Sequence, residues 1–521
     1  MSWYEDAVFY HIYPLGLCGA PEHNDGGEPV HRLNEITEWI DHIHALGCTG
    51  LYIGPLFESS GHGYETSDYY TLDRRLGTNE DLVQFVKKCH AAGIRVIFDG
   101  VFNHTGRGFF AFKDLQANRE NSQFRDWYCN VNFWGNNEFN DGFSYDAWGG
   151  YNIMAKLNQR NPQVQNYICD VIRYWVKEFD IDGIRLDAAD VLDFGFMKVL
   201  RRTANEVKED FWLMGEVIHG DYSRWANDET LHSVTNYALH KGLYSGHNDH
   251  NYFEIAHTVK RQLDMCPQEL KLYNFVDNHD VERIMTKLTN KAHFTPVHIL
   301  LYTLPGIPSI YYGSEFGIEG KKTYGTDAPL RPALKLSDYR NAIKENPCTM
   351  LVAALGKIHA ETEELRYGEY RELSLTTGQY AFARGNVIIT VNNADQPASF
   401  DVPAQGSYTG ALSGQKVKAE NGRLHVSVEA CGGEIWIPAG RTFAPVTKKV
   451  KPQPAKKEVK KPAVTKEQRA GKSFEEMSVE ELQEEILERM RRNGPVTDQM
   501  ERDVRQNIWH DSLINWVKSF H

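Results

Sequence analysis

The feature that most restricts the fold is an alternation of short apolar runs with longer segments of helical periodicity, which continues to about residue 350. Segments of helical pattern, such as 33–46, 79–92, 164–179 and 196–207, are each long enough to cross back over a sheet. The predicted strands are VFYHIYPL from Val8, LYIGPLF from Leu51, VIFDGV from Val96, GIRLDAA from Gly183, WLMGEV from Trp212, SVTNYA from Ser233, LYNFVDNHD from Leu272 and IPSIYYGSE from Ile307. Eight such units predict an α/β fold of the (β/α)₈ TIM barrel type. A doubly wound open sheet is the alternative, and no GxGxxG follows the first strand to favour it.

Changes of pattern divide the chain into further parts. Between the third and fourth strands lies FWGNNEFNDGFSYDAWGGYN, an aromatic and glycine-rich stretch that predicts a small inserted subdomain. After the barrel, short alternating strands such as YAFARGNVIITVNNA predict a C-terminal antiparallel β-sandwich domain. The predicted boundaries are 1–104 and 161–353 for the barrel, 105–160 for the inserted subdomain and 354–440 for the β domain.

The C-terminal segment predicts a linker followed by helices. Residues 441–472 are rich in lysine and proline and cannot bury a core, so they are predicted to be a linker. Residues 473–521 predict a helical hairpin: SVEE from Ser478 matches a capping box, and NGP from Asn493 separates two apolar helical faces. This module either packs on the main body or on itself, or it mediates self-association or partner docking.

Charge and composition exclude several classes of function. The chain has 57 basic and 70 acidic residues, which gives no electrostatic reason to bind nucleic acid or an anionic membrane. Eight scattered cysteines lack the spacing of a zinc site or redox pair, and no apolar run reaches the roughly 18 residues of a membrane span. The N-terminal sequence MSWYEDAVFYHIYP is not that of a signal peptide, so a cytoplasmic location is expected.

Acidic side chains gather at the ends of the predicted strands. In a barrel these ends share one face, which is where such enzymes carry their working residues. The three carboxylates that converge there are Asp187, Glu216 and Asp280, with Arg185, His104 and His279 beside them. An acid at a strand end is by itself more often a helix cap or a surface ion pair. Clustered carboxylates repel one another, however, and a site that gathers them with cations is usually using them.

Glycoside cleavage needs such a set, because one carboxylate attacks the anomeric carbon and one carboxyl protonates the departing oxygen. Arg185 lies two residues before Asp187 and points to the same face of a strand, so its charge is expected to keep Asp187 ionised. Glu216 is expected to hold a proton because of the neighbouring carboxylates.

The strand-end motifs DGVFNH, GIRLDAAD, GEVIH and FVDNHD, in this order, closely resemble the signature regions of the α-amylase superfamily, glycoside hydrolase family 13. The resemblance covers roughly residues 5–440 and implies that Asp187 is the nucleophile, Glu216 the acid/base and Asp280 a transition-state stabiliser. It also implies sugar-binding roles for Tyr64, His104, Arg185, His279, Asp327 and Arg331, with Asp99 supporting them.

Further motifs refine this resemblance. IMAKLN, from Ile153, looks like the MPKLN signature of the neopullulanase and cyclomaltodextrinase branch, with Ala155 in place of proline. Ala188, Ala189 and Asp190 stand where many α-amylases carry a Lys-His pair that serves calcium. No cofactor is therefore expected for the chemistry, and a structural calcium ion, with Asn103 as a ligand, is possible but not favoured.

The resemblance implies a retaining hydrolase of α-1,4-glucans, maltooligosaccharides or cyclodextrins that forms a covalent glucosyl-enzyme. The same three carboxylates serve transglycosylases, glucosyl isomerases and phosphorylases, so the acceptor stays open. A non-catalytic carbohydrate-binding or scaffold protein is the alternative of a different class, and the complete set of acids argues against it.

Overall fold

The computed structural model describes residues 2–266, 271–323, 326–452, 472–474, 477–493, 504 and 510–518. By contacts between residues the chain divides into two units. The first comprises Met1–Lys321 and Ala328–Pro452, and the second comprises Lys322–Asp327 and Gln453–His521. Within the described residues, none of the helices is long and apolar enough to cross a membrane.

A parallel barrel forms the larger part of the first unit. Its strands, eight among the described residues, are β1 (Phe9–Ile12), β2 (Gly50–Ile53), β3 (Arg95–Gly100), β4 (Gly183–Leu186), β5 (Trp212–Gly215), β6 (Ser233–Val234), β7 (Tyr273–Phe275) and β8 (Ile307–Tyr311). They pair in the order β6, β5, β4, β3, β2, β1, β8, β7, and a bridge between Thr235 and Tyr273 joins the two outer strands. The predicted barrel is confirmed, and the open sheet is wrong.

Helices follow the strands and cover the barrel. Asn79–Ala91 begins with a capping box between Thr78 and Asp81, and Pro162–Phe179 begins at Asn161, whose side chain accepts from an amide of the first turn. Beneath the latter helix, Trp175 stacks on Phe57 with 4.4 Å between the ring centroids. The remaining helices of this part are Pro14–Leu17, Leu33–Thr37, Ile40–Ala45, Phe110–Asn118, Phe194–Val207, Tyr237–Asn248, Tyr252–Met265, Ile284–Lys287, Phe294–Thr303, Ala342–Glu345, Pro347–Glu361 and Glu363–Tyr367.

Two hairpin-like excursions leave the carboxyl ends of β2 and β3. The first pairs strands Phe57–Ser59 and Thr66–Leu72. The second pairs His104–Gly106 with Met154–Lys156 and encloses the helix Phe110–Asn118, at the position of the predicted inserted subdomain. Both excursions lie on the side of the barrel where the strand-end carboxylates project.

An antiparallel β domain follows the barrel, as predicted. Its strands are β9 (Tyr370–Leu375), β10 (Gln379–Arg384), β11 (Val387–Asn392), β12 (Ala398–Pro403), β13 (Ser407–Gly410), β14 (Lys416–Lys418), β15 (Arg423–Val428) and β16 (Gly432–Pro438). A larger sheet has the order β9, β10, β11, β16, β13, β14, and β12 pairs with β15. Between them lies a core that includes Ile388, Phe400, Val426 and Trp436.

The second unit contains the described helices Val479–Asn493 and His510–Lys518. Ser478 and Glu481 form the predicted capping box, with the Ser478 amide donating to Glu481 Oε2 at 2.7 Å. Apolar side chains of this unit share a small core that includes Leu482, Ile486, Val504 and Leu513. Most of the predicted linker, at 453–471, and the predicted break after Asn493 lie outside the described residues.

Candidate active site

The site is built on neighbouring strands whose side chains alternate between the two faces. Asp99 at the end of β3 is directly opposite Arg185 of β4 in the parallel register. Asp187 lies two residues beyond Arg185, so both side chains point to the same side. The amide of Asp187 donates to the carbonyl of Gly100 at 3.1 Å, and that of Glu216 donates to the carbonyl of Leu186 at 2.9 Å. Backbone hydrogen bonds between neighbouring strands therefore fix the backbone positions of Asp187 and Glu216.

A single buried guanidinium joins the carboxylates of three strands. Arg185 Nη1 donates to Asp99 Oδ1 and to Asp187 Oδ1, at 2.8 Å each. Its Nη2 lies 2.8 Å from Glu216 Oε2. The Arg185 side chain is 3% exposed, so little solvent screens these contacts. The predicted proximity of Arg185 to Asp187 and Glu216 is confirmed.

Sharing the cation has an electrostatic consequence for Asp187. Burial raises the pKa of Asp187 well above its ordinary value; Arg185 acts against this, and the charges of Glu216 and Asp99 act with it. The expectation that Arg185 keeps Asp187 ionised is therefore incomplete, because one guanidinium serves three carboxylates. Asp187 therefore holds its proton more tightly than an ordinary aspartic acid does.

Glu216 also receives hydrogen bonds from a backbone amide and a tyrosine hydroxyl. The amide of Ala188 donates to Glu216 Oε2 at 3.1 Å, and the hydroxyl of Tyr237 lies 3.3 Å from Oε1. Ala188 has a φ of 47°, in the left-handed region that costs a residue with a side chain about 1 kcal/mol. Tyr237 follows β6, the shortest barrel strand. Because working residues of a barrel lie after the carboxyl ends of its strands, the position of Tyr237 after β6 was a sequence signal for it.

Asp280 lies in a different electrostatic environment. Its Oδ1 accepts from Arg331 Nη2 at 2.8 Å, and its Oδ2 lies 3.0 Å from His279 Nε2. Burial acts to raise the pKa of Asp280, but His279 and Arg331 outweigh it and hold that pKa well below its usual range. Arg331 also donates from Nε to the carbonyl of His279 at 3.0 Å. Asp280 is thus a permanent anion between two donors.

Aromatic and histidine side chains surround the carboxylates. Tyr64 stacks on His279 with 5.6 Å between the ring centroids, and its hydroxyl lies 3.0 Å from Asp99 Oδ2. His104 donates from Nε2 to the carbonyl of Tyr64 at 3.0 Å, and burial lowers the pKa of His104 to about 4, so this ring is neutral at neutral pH. Trp148 is 38% exposed, and the centroid of its ring lies 6.1 Å from that of the His104 ring. These groups can contact a sugar by stacking and by hydrogen bonds.

The site belongs to a known family of catalytic domains. The model described as "Alpha amylase, catalytic domain" matches residues 23–362. The chain belongs to the α-amylase family. It is 32% identical over 422 residues to a cyclomaltodextrinase of Thermoanaerobacter pseudethanolicus, covering 76% of this chain and 71% of that one. Neopullulanase 2 of Thermoactinomyces vulgaris is 30% identical over 476 residues, covering 83% of this chain and 78% of that one.

A solved structure shares the fold of this chain. A crystal structure from Thermus thermophilus superposes with a TM-score of 0.74 at 27% identity and covers 84% of this chain and 100% of that one. The resemblance found in the strand-end motifs is thus confirmed, and the chain is a member of the α-amylase group of glycoside hydrolases.

Two further expectations for an α-amylase family member concern Asp327 and a calcium ion. Asp327 belongs to the second unit, where its carboxylate lies 3.1 Å from Lys322 Nζ, so its sugar-binding role stays a prediction. Asn103, the candidate calcium ligand, is fully buried, and its Oδ1 accepts from Gln159 at 3.1 Å. Among the described residues, no group of three or more His, Cys, Asp or Glu side chains is arranged to hold a metal ion, and the expectation that calcium is not favoured stays a prediction.

Proposed function

We propose that the protein is a retaining α-glycoside hydrolase that cleaves α-1,4-linked maltooligosaccharides and cyclodextrins through a covalent glucosyl-enzyme. The observation that carries the proposal is that the two terminal nitrogens of Arg185 hold Asp187 and Glu216 at 2.8 Å each. Two carboxyl groups bound to one guanidinium fit the spacing of about 5–5.5 Å in retaining enzymes better than the roughly 6.5–9.5 Å of inverting ones.

In the first step, Asp187 attacks the anomeric carbon while Glu216 donates its proton to the leaving oxygen. The bond from carbon to the leaving oxygen breaks, and a bond from carbon to an Asp187 oxygen forms. Asp187 must be ionised to attack. The negative charges of Glu216 and Asp99 nearby contribute to the raised pKa of Asp187. A developing positive charge on the sugar relieves this crowding of negative charge, which favours the transition state over the ground state.

In the second step, water gives its proton to Glu216 and its oxygen to the anomeric carbon, which releases Asp187. Two inversions at one carbon return the original α configuration. We assign the binding of the sugar hydroxyls to Asp280, His279, Arg331 and neutral His104, and the stacking platform to Tyr64. Their contacts with one another, rather than with solvent, keep them oriented before the sugar arrives.

The choice of substrate rests on relatives whose names indicate action on cyclodextrins and pullulan, at 32% and 30% identity. We also propose a cytoplasmic location. It is supported by the eight cysteines, all described and all free thiols.

Product analysis tests this function. The purified protein is incubated with maltoheptaose, β-cyclodextrin, pullulan and isomaltose in parallel, and products are followed by chromatography and by NMR of the newly formed anomer. We expect rapid cleavage of the first two substrates with α products. β products would contradict the retaining mechanism, products longer than the substrate would make the enzyme a transglycosylase, and no reaction on any substrate would favour a non-catalytic role.

Glu216→Gln tests the acid/base assignment. The amide cannot protonate a leaving group, so hydrolysis of maltoheptaose is expected to fall by about 10²–10⁴-fold. An aryl glucoside with a good leaving group needs no protonation in the first step, so that step is expected to fall much less. Equal losses on both substrates would contradict the assignment.

A further inference from the structure

The two carboxylate oxygens of Glu216 differ in their surroundings. Oε2 is occupied by Arg185 Nη2 at 2.8 Å and by the amide of Ala188 at 3.1 Å. Both of these donors carry fixed protons, so Oε2 is a poor place for a further proton. Oε1 has the hydroxyl of Tyr237 at 3.3 Å. The mobile proton of Glu216 therefore belongs on Oε1.

The direction of the Tyr237 hydroxyl follows from Asn278, in the segment after β7. Asn278 Oδ1 accepts from the amides of Asp280 at 2.8 Å and Val281 at 3.1 Å. That acceptance fixes the orientation of the Asn278 amide, so its Nδ2 must face Tyr237, whose hydroxyl oxygen lies 3.1 Å away. Since the Tyr237 oxygen accepts from Asn278, its own proton is free to point at Glu216.

Burial keeps that hydroxyl in its donor form. It raises the pKa of Tyr237 well above its ordinary value, so the phenol stays protonated through the pH range of the enzyme. The Tyr237 ring packs edge-on against Phe275, with 4.9 Å between centroids and an angle of 80°. Ring packing and the Asn278 bond thus aim one hydroxyl at one oxygen of Glu216.

We propose that Tyr237, directed by Asn278, is a positioning residue for Glu216, and that Glu216 Oε1 is the oxygen that gives and takes the catalytic proton. This rests on the proposed function. In the first step the Oε1–H bond breaks and the leaving oxygen takes the proton; the Tyr237 hydroxyl then donates to a fully charged Oε1. A hydrogen bond to a charged oxygen is stronger than one to a neutral oxygen, so Tyr237 favours the state after proton transfer.

Tyr237→Phe removes the hydroxyl and keeps the ring. We expect kcat/KM on β-cyclodextrin to fall about 10- to 100-fold, the loss for one hydrogen bond to a charged group, and to fall much less on an activated aryl glucoside. The alkaline limb of the kcat/KM profile is expected to move to higher pH, because the carboxylate has lost a donor. The other ionisable groups around Glu216 and Tyr237, namely Arg185, Asp187, Tyr52 and Asp280, keep their side chains in this variant.

Tyr273→Phe is the matched control. It removes a buried hydroxyl that lies 2.6 Å from Ser309 Oγ in the barrel interior and has no bond to Glu216. Thermal melting of both variants checks that each is folded. If Tyr237→Phe loses the same factor on both substrates, or shows the pH profile of Tyr273→Phe, the inference is wrong. Wild-type protein that is inert on every α-glucan would instead contradict the proposed function.

A double-mutant cycle tests the part of Asn278. Asn278→Ser keeps an oxygen that can accept from backbone amides, as serine often does in turns, and removes the donor to Tyr237. If Asn278 acts through Tyr237, adding Asn278→Ser to Tyr237→Phe lowers kcat/KM by clearly less than Asn278→Ser does in the wild type. Fully additive losses would overturn the directing role.

Discussion

The two sides of the active site treat their carboxylates differently. On the β3–β5 side, Arg185 is shared by Asp99, Asp187 and Glu216, and the pKa of Asp187 is raised. On the β7–β8 side, Asp280 contacts both Arg331 and His279, and its pKa is lowered. One guanidinium shared among three carboxylates leaves groups ready to change bonding or protonation, whereas Arg331, which donates to Asp280, holds that carboxylate as an anion. In the proposed mechanism, an aspartate therefore has a reacting role on one side and a binding role on the other.

The largest effect should come from the side with shared charge. Asp187→Asn is nearly isosteric but provides no nucleophile, so kcat on maltoheptaose should fall by at least about 10⁴-fold. Steady-state assays measure this, with Asp401→Asn as the control because Asp401 pairs with Arg423 on the exposed β domain. Turnover near that of the wild type would contradict the mechanism.

A smaller loss of activity is expected from a change beside Asp280, on the β7–β8 side. Arg331→Met removes one of the donors to Asp280 and lets that carboxylate shift, which should lower kcat/KM about 10²-fold. Arg423→Met removes the corresponding partner of Asp401 and should leave kcat/KM unchanged. Similar kcat/KM values for the two variants would show that Asp280 does not need the hydrogen bond from Arg331.

Stability should change in opposite directions on the two sides. Because its pKa is raised in the folded protein, ionised Asp187 destabilises the fold once the pH exceeds the ordinary pKa of an aspartic acid. Asp187→Asn should therefore raise the free energy of unfolding by about 1 kcal/mol at pH 7. Because its pKa is lowered in the folded protein, Asp280 stabilises the fold when the pH is above the ordinary pKa of an aspartic acid. That stabilisation is lost as the pH falls towards the lowered pKa. Asp280→Asn should therefore lower the free energy of unfolding by about 1 kcal/mol, since the side chain is 35% exposed.

Denaturant unfolding at pH 7, repeated near pH 4, measures these changes. The Asp187→Asn difference should shrink near pH 4, whereas the Asp280→Asn difference should persist there and shrink only at lower pH, because the pKa of Asp280 is lowered. Shifts of the same sign for the two variants at pH 7 would remove the distinction between the two sides.

The smallest effect is a shift of pH dependence. Asp187 must lose its proton to attack, so activity should fall as pH drops through its raised pKa. Asp99→Asn removes a charge that raises this pKa and frees Arg185, which should move the acid limb of the kcat/KM profile lower by about 0.5–1 pH unit. Glu216, the other charge beside Asp187, stays in place. Tyr52→Phe is the control, because it removes a 2.8 Å hydrogen bond to Asp99 but keeps the charge of Asp99. It should not move the acid limb. Equal shifts of the acid limb in the two variants would show that the charge of Asp99 is not the cause.

The sequence predicted the barrel and the strand-end carboxylates because both depend on local periodicity. Apolar runs set the strands, and alternation places Arg185 and Asp187 on one side. Asn278 and Tyr237 were not recognised, since their importance comes from a contact between the segments that follow β6 and β7; the strand-end rule applied to β6 points to Tyr237 alone. The left-handed backbone of Ala188 also has no signal in the side chain. Which cation each carboxylate contacts, and hence the direction of each pKa shift, is a property of the closed barrel.

The most direct test of the covalent mechanism is to trap the glucosyl-enzyme. Glu216→Gln is mixed with α-maltosyl fluoride, whose leaving group needs no protonation, while the missing base slows release of the intermediate. Mass spectrometry of the proteolysed protein then locates the added sugar. We expect a maltosyl adduct on the peptide that contains Asp187. No adduct under conditions where fluoride is released, or an adduct on the peptide with Asp280, would contradict the account.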